Sequence, residues 1–292
     1  MDLITRQIDL MRLEKRISWE MYQRLLAWRE QMENTDEVDK LIDRYFAELE
    51  AWFMAQHEAV ADDESDWLFW LLTSLGIAAQ RLPQGALYDL RVGSLKLPEW
   101  WASWRADVKR SARQMLLFHR LHDEPLDWQR VFQAAWWRLK ALSATWISSL
   151  MSEAVYQMGR LNPAVKGFRH ISVLDGKTSS VCAARHGLLW GRDLQPIGHS
   201  FVFQRPALHP HCRSRLVWWL GGAWHDVSGD DWVKSRTLDE LQEQFGVGVG
   251  QMLHDGTIEL HQAVKSGGLQ AMTLRELQAM TLRELQAKYA KK

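Results

Sequence analysis

Residues 128–161 read WQRVFQAAWWRLKALSATWISSLMSEAVYQMGRL, and this stretch decides the fold. Trp128, Val131, Phe132, Ala135, Trp136, Leu139, Leu142, Trp146, Ile147, Leu150, Met151, Ala154, Val155 and Met158 recur at intervals of three and four, the period of one apolar helical face. Asp127 offers a cap at the start and Asn162-Pro163 a stop. A helix of about 34 residues spans roughly 50 Å, long enough to act as a spine. Working towards the N-terminus, Glu99 to about Leu121 predicts a helix, as does Trp67 to Arg81. Asp62 to Asp66 is expected to break a helix that runs from Val38 to Phe53. Asn34 to Glu37 has capping-box spacing, and Leu10 to Met32 forms the first helix. Beyond Pro163 the texture changes. Phe168–Leu174, His199–Phe203 and Arg215–Leu220 read as strands among glycines, and helices return at Thr237. The octapeptide Ala271–Gln278 is repeated without change as Ala279–Gln286. Thr237, Thr273 and Thr281 each precede a Glu by three residues, which predicts a capped terminal helix or two short ones. The fold class is α+β: a mainly helical N-terminal region (1–125), a long helix with a small mixed α+β module (126–222), and a helical C-terminal extension (223–292).

The 292 residues, 47% hydrophobic and 25% charged, suit an ordinary globular chain rather than a disordered one. The longest nearly unbroken apolar run, Trp67 to Ala79, falls short of the roughly 20 residues of a membrane-spanning helix. The N-terminal residues lack a signal-peptide layout, so a soluble chain made in a cytoplasm is expected. A net charge of zero conceals segregation: residues 1–100 carry a net −8, while residues 160–215 carry +7. Such a block can attract a polyanion locally. Lys166, Arg169, Lys177, Arg185, Arg205 and Arg215 are its candidate phosphate contacts, and with no base-reading motif beside them binding to DNA would be sequence-independent. Seventeen tryptophans are an unusual share. Trp19, Trp28, Trp52, Trp136 and Trp146 fall on apolar stripes. Adjacent pairs such as Trp136–Trp137 cannot share one face, so one member of each is left for a second layer or a partner.

Two cysteines exclude a four-cysteine metal module. Both lie in the one stretch that departs from ordinary sequence: residues 173–187 (VLDGKTSSVCAARHG) and 205–213 (RPALHPHCR). Cys182 and His186 stand one helical turn apart, and His209 and Cys212 supply two more soft donors. Four N and S ligands match the tetrahedral preference of Zn²⁺. A Cys182–Cys212 disulfide closing about thirty residues, worth roughly 3–4 kcal/mol by loop entropy, and a pair of buried free thiols are the other readings. A cytoplasmic origin weighs against the disulfide.

The order Asp-Gly-x-Thr-Ser-x-x-Cys-x-x-x-His-Gly, then Pro-x-x-His-Pro-x-Cys-Arg before an apolar strand, resembles the Mu F-like minor head proteins of tailed bacteriophages, also called head-morphogenesis proteins. The matching positions are Asp175, Thr178, Cys182, Gly187, Pro206, His209, Pro210, Cys212 and Arg213. The long helix and the Met-Thr-Leu-x-Glu-Leu tail extend the likeness over roughly residues 130–286. Ala207 stands where family members often carry a second proline. Ser179 and Ser180 replace a cysteine found in some, which leaves a mixed Cys/His set. The resemblance implies a structural protein in few copies, attached to the portal, in contact with major capsid or scaffold proteins; the acidic helical region 1–125, with its tryptophans, is the part expected to dock. The resemblance also implies a place inside the head beside packaged double-stranded DNA, after assembly in the bacterial cytoplasm, and no membrane.

A metal-dependent hydrolase, nuclease or protease, is the rival reading, with Asp175 or His199 as base beside the Cys/His cluster. Against it, the chain has no His-Glu-x-x-His helix and no Gly-x-Ser-x-Gly elbow. Gly246-Val-Gly-Val-Gly250 lacks the spacing of a phosphate loop.

Overall fold

Two long helices open the chain, α1 (Leu3–Met32) and α2 (Val38–Ser74). The computed structural model describes residues 3–32, 37–93, 95–122, 126–223 and 226–289, so the expected cap at residues 34–36 lies outside the described residues. The break expected at Asp62–Asp66 does not occur, because the acidic run finds cationic and hydroxyl partners. Arg6 donates to Glu64 at 2.8 Å and to Asp63 at 2.6 Å. The Tyr88 hydroxyl donates to Asp62 at 2.8 Å, and Arg81 pairs with Asp66. With its charges answered, α2 runs on to Ser74. A two-strand hairpin, β1 (Arg91–Val92) and β2 (Leu95–Lys96), then leads into α3 (Leu97–His122).

Helix α4 (Trp128–Leu161) is the expected spine, and Asp127 caps it by accepting from the Arg130 N–H at 3.2 Å. At its far end Arg192 donates to the carbonyls of Gly159, Asn162 and Val165 at 2.9–3.0 Å. That one guanidinium satisfies carbonyls at and beyond the helix terminus and sets a positive charge at the negative end of the dipole.

The fold divides into two compact units: Met1–Ala154, with which His209–His211 are grouped, and Val155–Leu208 with Cys212–Lys292. The first is helical around an aromatic core. Trp28 meets Phe132 edge-on at 4.7 Å, Phe46 meets Trp104 at 4.7 Å, and Phe53 meets Trp146 at 5.0 Å. His57, fully buried, ties this core together: its Nδ1 accepts from Trp146 Nε1 at 3.1 Å while Nε2 faces the Tyr88 carbonyl at 3.2 Å. Trp28 and Trp146 are buried as expected. Trp19 is instead 60% exposed, resting against Tyr22 rather than in the core.

The second unit is built on a four-stranded antiparallel sheet in the order β5-β4-β3-β6, from β3 (Gly167–Ile171), β4 (Leu189–Gly191), β5 (Pro196–Ile197) and β6 (Arg215–Trp219). Phe168 on central β3 faces Trp190 and Trp218 in register. Gly159 lets the ring of Phe168 approach the α4 backbone, since a Cβ there would stand 2.6 Å from it. The strand expected at 199–203 is not formed. His199 Nε2 contacts the Leu189 carbonyl at 2.8 Å, and the Phe201 carbonyl accepts from Trp190 Nε1 at 2.8 Å, so side-chain bonds anchor the segment in place of a strand ladder. Short helices α5 (Ser180–Arg185), α6 (Gly229–Lys234), α7 (Leu238–Phe245) and α8 (Val247–His254) follow, with a 3-10 turn at Leu260–Ala263. They enclose a second core of Ala183, Trp232, Leu241, Ile258, Leu260 and Leu277. The duplicated octapeptide forms a single helix, α9 (Leu274–Tyr289). Thr273 caps it reciprocally with Glu276, whereas Thr281 lies mid-helix with its hydroxyl on the Leu277 carbonyl at 3.0 Å. The architecture is thus mainly helical with a small α+β module.

Candidate metal centre

Two segments some thirty residues apart in sequence meet around Cys182 and Cys212. The first leaves β3 and turns at Asp175–Thr178. Thr178 donates to the Val173 carbonyl, and the Lys177 N–H bonds the Asp175 carboxylate at 3.0 Å. Ser179 then caps α5 by accepting from the Cys182 N–H, which sets Cys182 on the first turn. The second segment, 206–213, brings Arg213 onto Asp175 through two bonds of 2.7 and 2.6 Å. This guanidinium holds the Asp175 carboxyl down at about 2, although partial burial opposes it. Gln244 of α7 closes the turn from outside, donating to the Thr178 carbonyl at 2.6 Å.

The sulfurs of Cys182 and Cys212 lie 3.6 Å apart, both buried and free of a disulfide. The contact with Cys212 pulls the Cys182 thiol pKa down. Ser179, Ser214 and the charge of Arg185 act in the same direction, while burial opposes them. Cys212 is raised by the same contact and by burial, against the backbone groups of Leu208 and Ser214. Ser172 donates to the Cys182 carbonyl at 2.6 Å and meets Ser214 at 3.0 Å, fixing the two segments behind the sulfurs.

The donor set fits a metal ion. Two sulfurs each about 2.3 Å from a tetrahedral centre stand about 3.8 Å apart, close to the separation found. His209 joins them: ligand atoms of Cys182, His209 and Cys212 all lie within 4.8 Å of one another. His209 Nδ1 sits 2.8 Å from the Pro210 carbonyl, and a ring donating there keeps its lone pair on Nε2. Ligating histidines commonly have such a carbonyl partner. These three residues could hold a metal ion.

His186 does not join the group. It ends α5, and its Nδ1 accepts from the Ser172 N–H at 3.0 Å. Burial lowers its pKa, against contacts with Asp226, Ser172 and Val227. The helical spacing from Cys182 fails because α5 ends at Arg185 and His186 is already extended, so its ring turns to the backbone of Ser172. Gly187 takes the left-handed φ of 83° that ends this segment. Pro206 is buried and Pro210 exposed.

The proposed phosphate contacts need correction. Arg169, Arg185 and Arg215 are buried and cannot reach a polyanion. Arg169 donates to the Gly187 carbonyl. Arg185, with no exposed surface, donates to the carbonyls of Val202 at 2.7 Å and Gly268 at 3.0 Å and lies over Trp190. Burial pulls its pKa down to about 10. Arg205 is half-buried over Tyr156, while Lys166 and Lys177 are exposed. Sequence reasoning missed Ser172, Ser179 and Ser214 as supports of the sulfurs. Only Ser179 carried a local signal, a cap ahead of a short helix. Among the described residues no helix is long and apolar enough to cross a membrane. Comparison with protein-family models, with curated proteins and with solved structures finds no match to this chain.

Proposed function

We propose that this chain is a structural minor head protein of a tailed phage, associated with the portal inside the capsid, whose Cys182, His209 and Cys212 hold Zn²⁺. The observation that carries the reading is the meeting of the two motif segments: Arg213 grips Asp175 across 38 residues, and Cys212 reaches Cys182 across 30. Residues quoted for the resemblance thus interlock in one small structure, as a shared motif would require. Zinc in such a site supplies folding energy to a loop-rich module, on the order of 10 kcal/mol or more in small zinc modules. The partners on this reading are portal, capsid or scaffold proteins and packaged DNA, in the head interior.

The hydrolase reading has less support. Asp175, its candidate base, is tied to Arg213, and both ring nitrogens of His199 face backbone groups, at Leu189 and Phe201. Co-expression with a tailed-phage portal protein tests the proposal. The full chain is expected to co-purify with portals, and a chain lacking residues 1–125 is not. Recovery of the truncated chain with portals, or absence of the full chain from purified virions by mass spectrometry, would refute the assignment.

A further inference from the structure

Helix α3 outruns the core it belongs to. Ala112 is its last buried residue, and none of residues 113–122 is buried. That stretch reads RQMLLFHRLH, with Leu117 55%, Phe118 59% and Leu121 67% exposed, and Leu126 at the entry to α4 is 42% exposed. Scattered apolar residues on a surface are ordinary, but a run of them on one helix end marks a contact surface. Their spacing of three and four places Leu117, Phe118 and Leu121 on one side of the helix. Between this end of α3 and the start of α4 lies a groove of about 490 Å³. Met115, Phe118, Val131 and Ala134 give it apolar walls, and Asp127 and Arg130 line it from the α4 side.

Charge selects the occupant. No acid occurs from Val108 to His122, and the next two, Asp123 and Glu124, lie outside the described residues. Arg110 pairs with Asp107 and Arg113 with Asp39, while Asp127 accepts from the Arg130 N–H as the cap of α4. The guanidinium groups of Arg120 and Arg130 have no ion-pair partner among the described residues, and they stand one on each helix bordering the groove. A second copy would set these cations against their own kind, which like charge opposes. A lipid surface takes up a convex apolar face, whereas Met115 and Phe118 line a concavity. We propose that the α3–α4 groove is the docking site of an acidic amphipathic helix of a partner protein. Its apolar row seats against Leu117, Phe118 and Leu121, and its carboxylates meet Arg120 and Arg130. The surface belongs to the first unit alone and serves whether or not that partner is a portal.

The probe is a fluorescein-labelled helical peptide of about 18 residues, with leucines at i, i+3, i+4 and i+7 flanked by glutamates, titrated against the full chain by anisotropy. Saturable binding is expected, roughly ten-fold tighter than for the same peptide with lysines in place of glutamates, and the difference should shrink at high salt. Phe118→Ser and Leu121→Ser should each weaken binding roughly ten-fold. Arg120→Glu combined with Arg130→Glu should turn the preference towards the lysine peptide. All four side chains are exposed, so thermal melts of these variants should match the wild type; should an apolar variant not fold, the charge-reversed chain decides. Absence of saturable binding, equal affinity for the two peptides, or full affinity in Phe118→Ser and Leu121→Ser would overturn the proposal. Flotation with phosphatidylglycerol vesicles that Leu121→Ser abolishes would give the face to a lipid surface instead, and a dimer in sedimentation that Leu121→Ser dissolves would give it to a second copy.

Discussion

The Asp175–Arg213 pair is the contact through which the two motif segments are most directly joined, and its strength is calculable. A carboxyl that ordinarily titrates near 3.8 is held at about 2, which corresponds to about 2.4 kcal/mol at 1.36 kcal/mol per pH unit. The side chains are 42% and 30% exposed, so solvent screening removes about half and leaves roughly 1 kcal/mol. Two-pronged geometry places it at the upper end of exposed ion pairs. A double-mutant cycle of Asp175→Asn and Arg213→Gln, read by urea unfolding, is expected to give a coupling of about 1 kcal/mol. The pH dependence has a definite sign. Because the folded state lowers the carboxyl's pKa, this stability is fully present above pH 3.8 and is lost as pH falls through about 2. The Asp175→Asn protein should lack that component of the acid transition. A coupling below about 0.3 kcal/mol, within the error of additivity, would show that the segments are held together by other contacts.

Elemental analysis after dialysis should find one zinc per chain, with Cys182→Ser and Cys212→Ser devoid of it and His209→Ala bound roughly 10-fold more weakly or worse; full occupancy in either cysteine variant would contradict the site. Burial lowers the pKa of His57, His186 and His199, so the unfolded chain takes up protons first. Stability should therefore rise from pH 5 to pH 7, and His57→Gln should flatten that rise; a flat wild-type profile would contradict neutral buried rings. Thr273→Ala should cost about 1 kcal/mol through the lost cap of α9, while Thr281→Ala in the second copy costs a few tenths at most. Equal effects in thermal melts would contradict the single-helix reading. Gly159→Ala should destabilise by about 1–3 kcal/mol as its methyl meets the Phe168 ring at 2.6 Å, with a neutral result showing that the ring can move.

The long helices were legible because burial repeats with their period. The apolar positions quoted for residues 128–158 are buried in α4 apart from half-buried Trp136. Continuity through Asp62–Asp66 was hidden, since a local run of acids reads as a break until Arg6, Arg81 and Tyr88 arrive from distant sequence. The C-terminal repeat failed for a different reason. Identical octapeptides carry identical capping signals, yet only the first follows non-helical backbone, so context rather than sequence selects Thr273. Strand β4 is three residues long, begins two residues after Gly187 and ends on Gly191, too short for alternation to register.

At the candidate metal centre, residue types were legible and their assignments only partly so. Spacing along the chain makes Cys182 and His186 look equivalent, one turn apart, but α5 ends at Arg185. His186 therefore leaves the helical face that Cys182 occupies, and its place is taken by His209, whose loop position no periodicity describes. The basic block teaches the same lesson in charge. A formal count treats each arginine as a unit of surface potential, whereas Arg169, Arg185 and Arg215 are buried and Arg213 is neutralised by Asp175. Arg192 is spent on the end of α4. What remains fully exposed among the proposed contacts is Lys166 and Lys177. Each phosphate neutralised contributes a salt-dependence slope of about −0.9, so so few exposed cations support weak, salt-sensitive contact with DNA. Arg169, Arg185 and Arg192 serve a different end: they bind carbonyls that loops would otherwise leave unsatisfied. In a module with little regular strand, buried guanidinium groups do the work that a longer hydrogen-bonded ladder performs elsewhere.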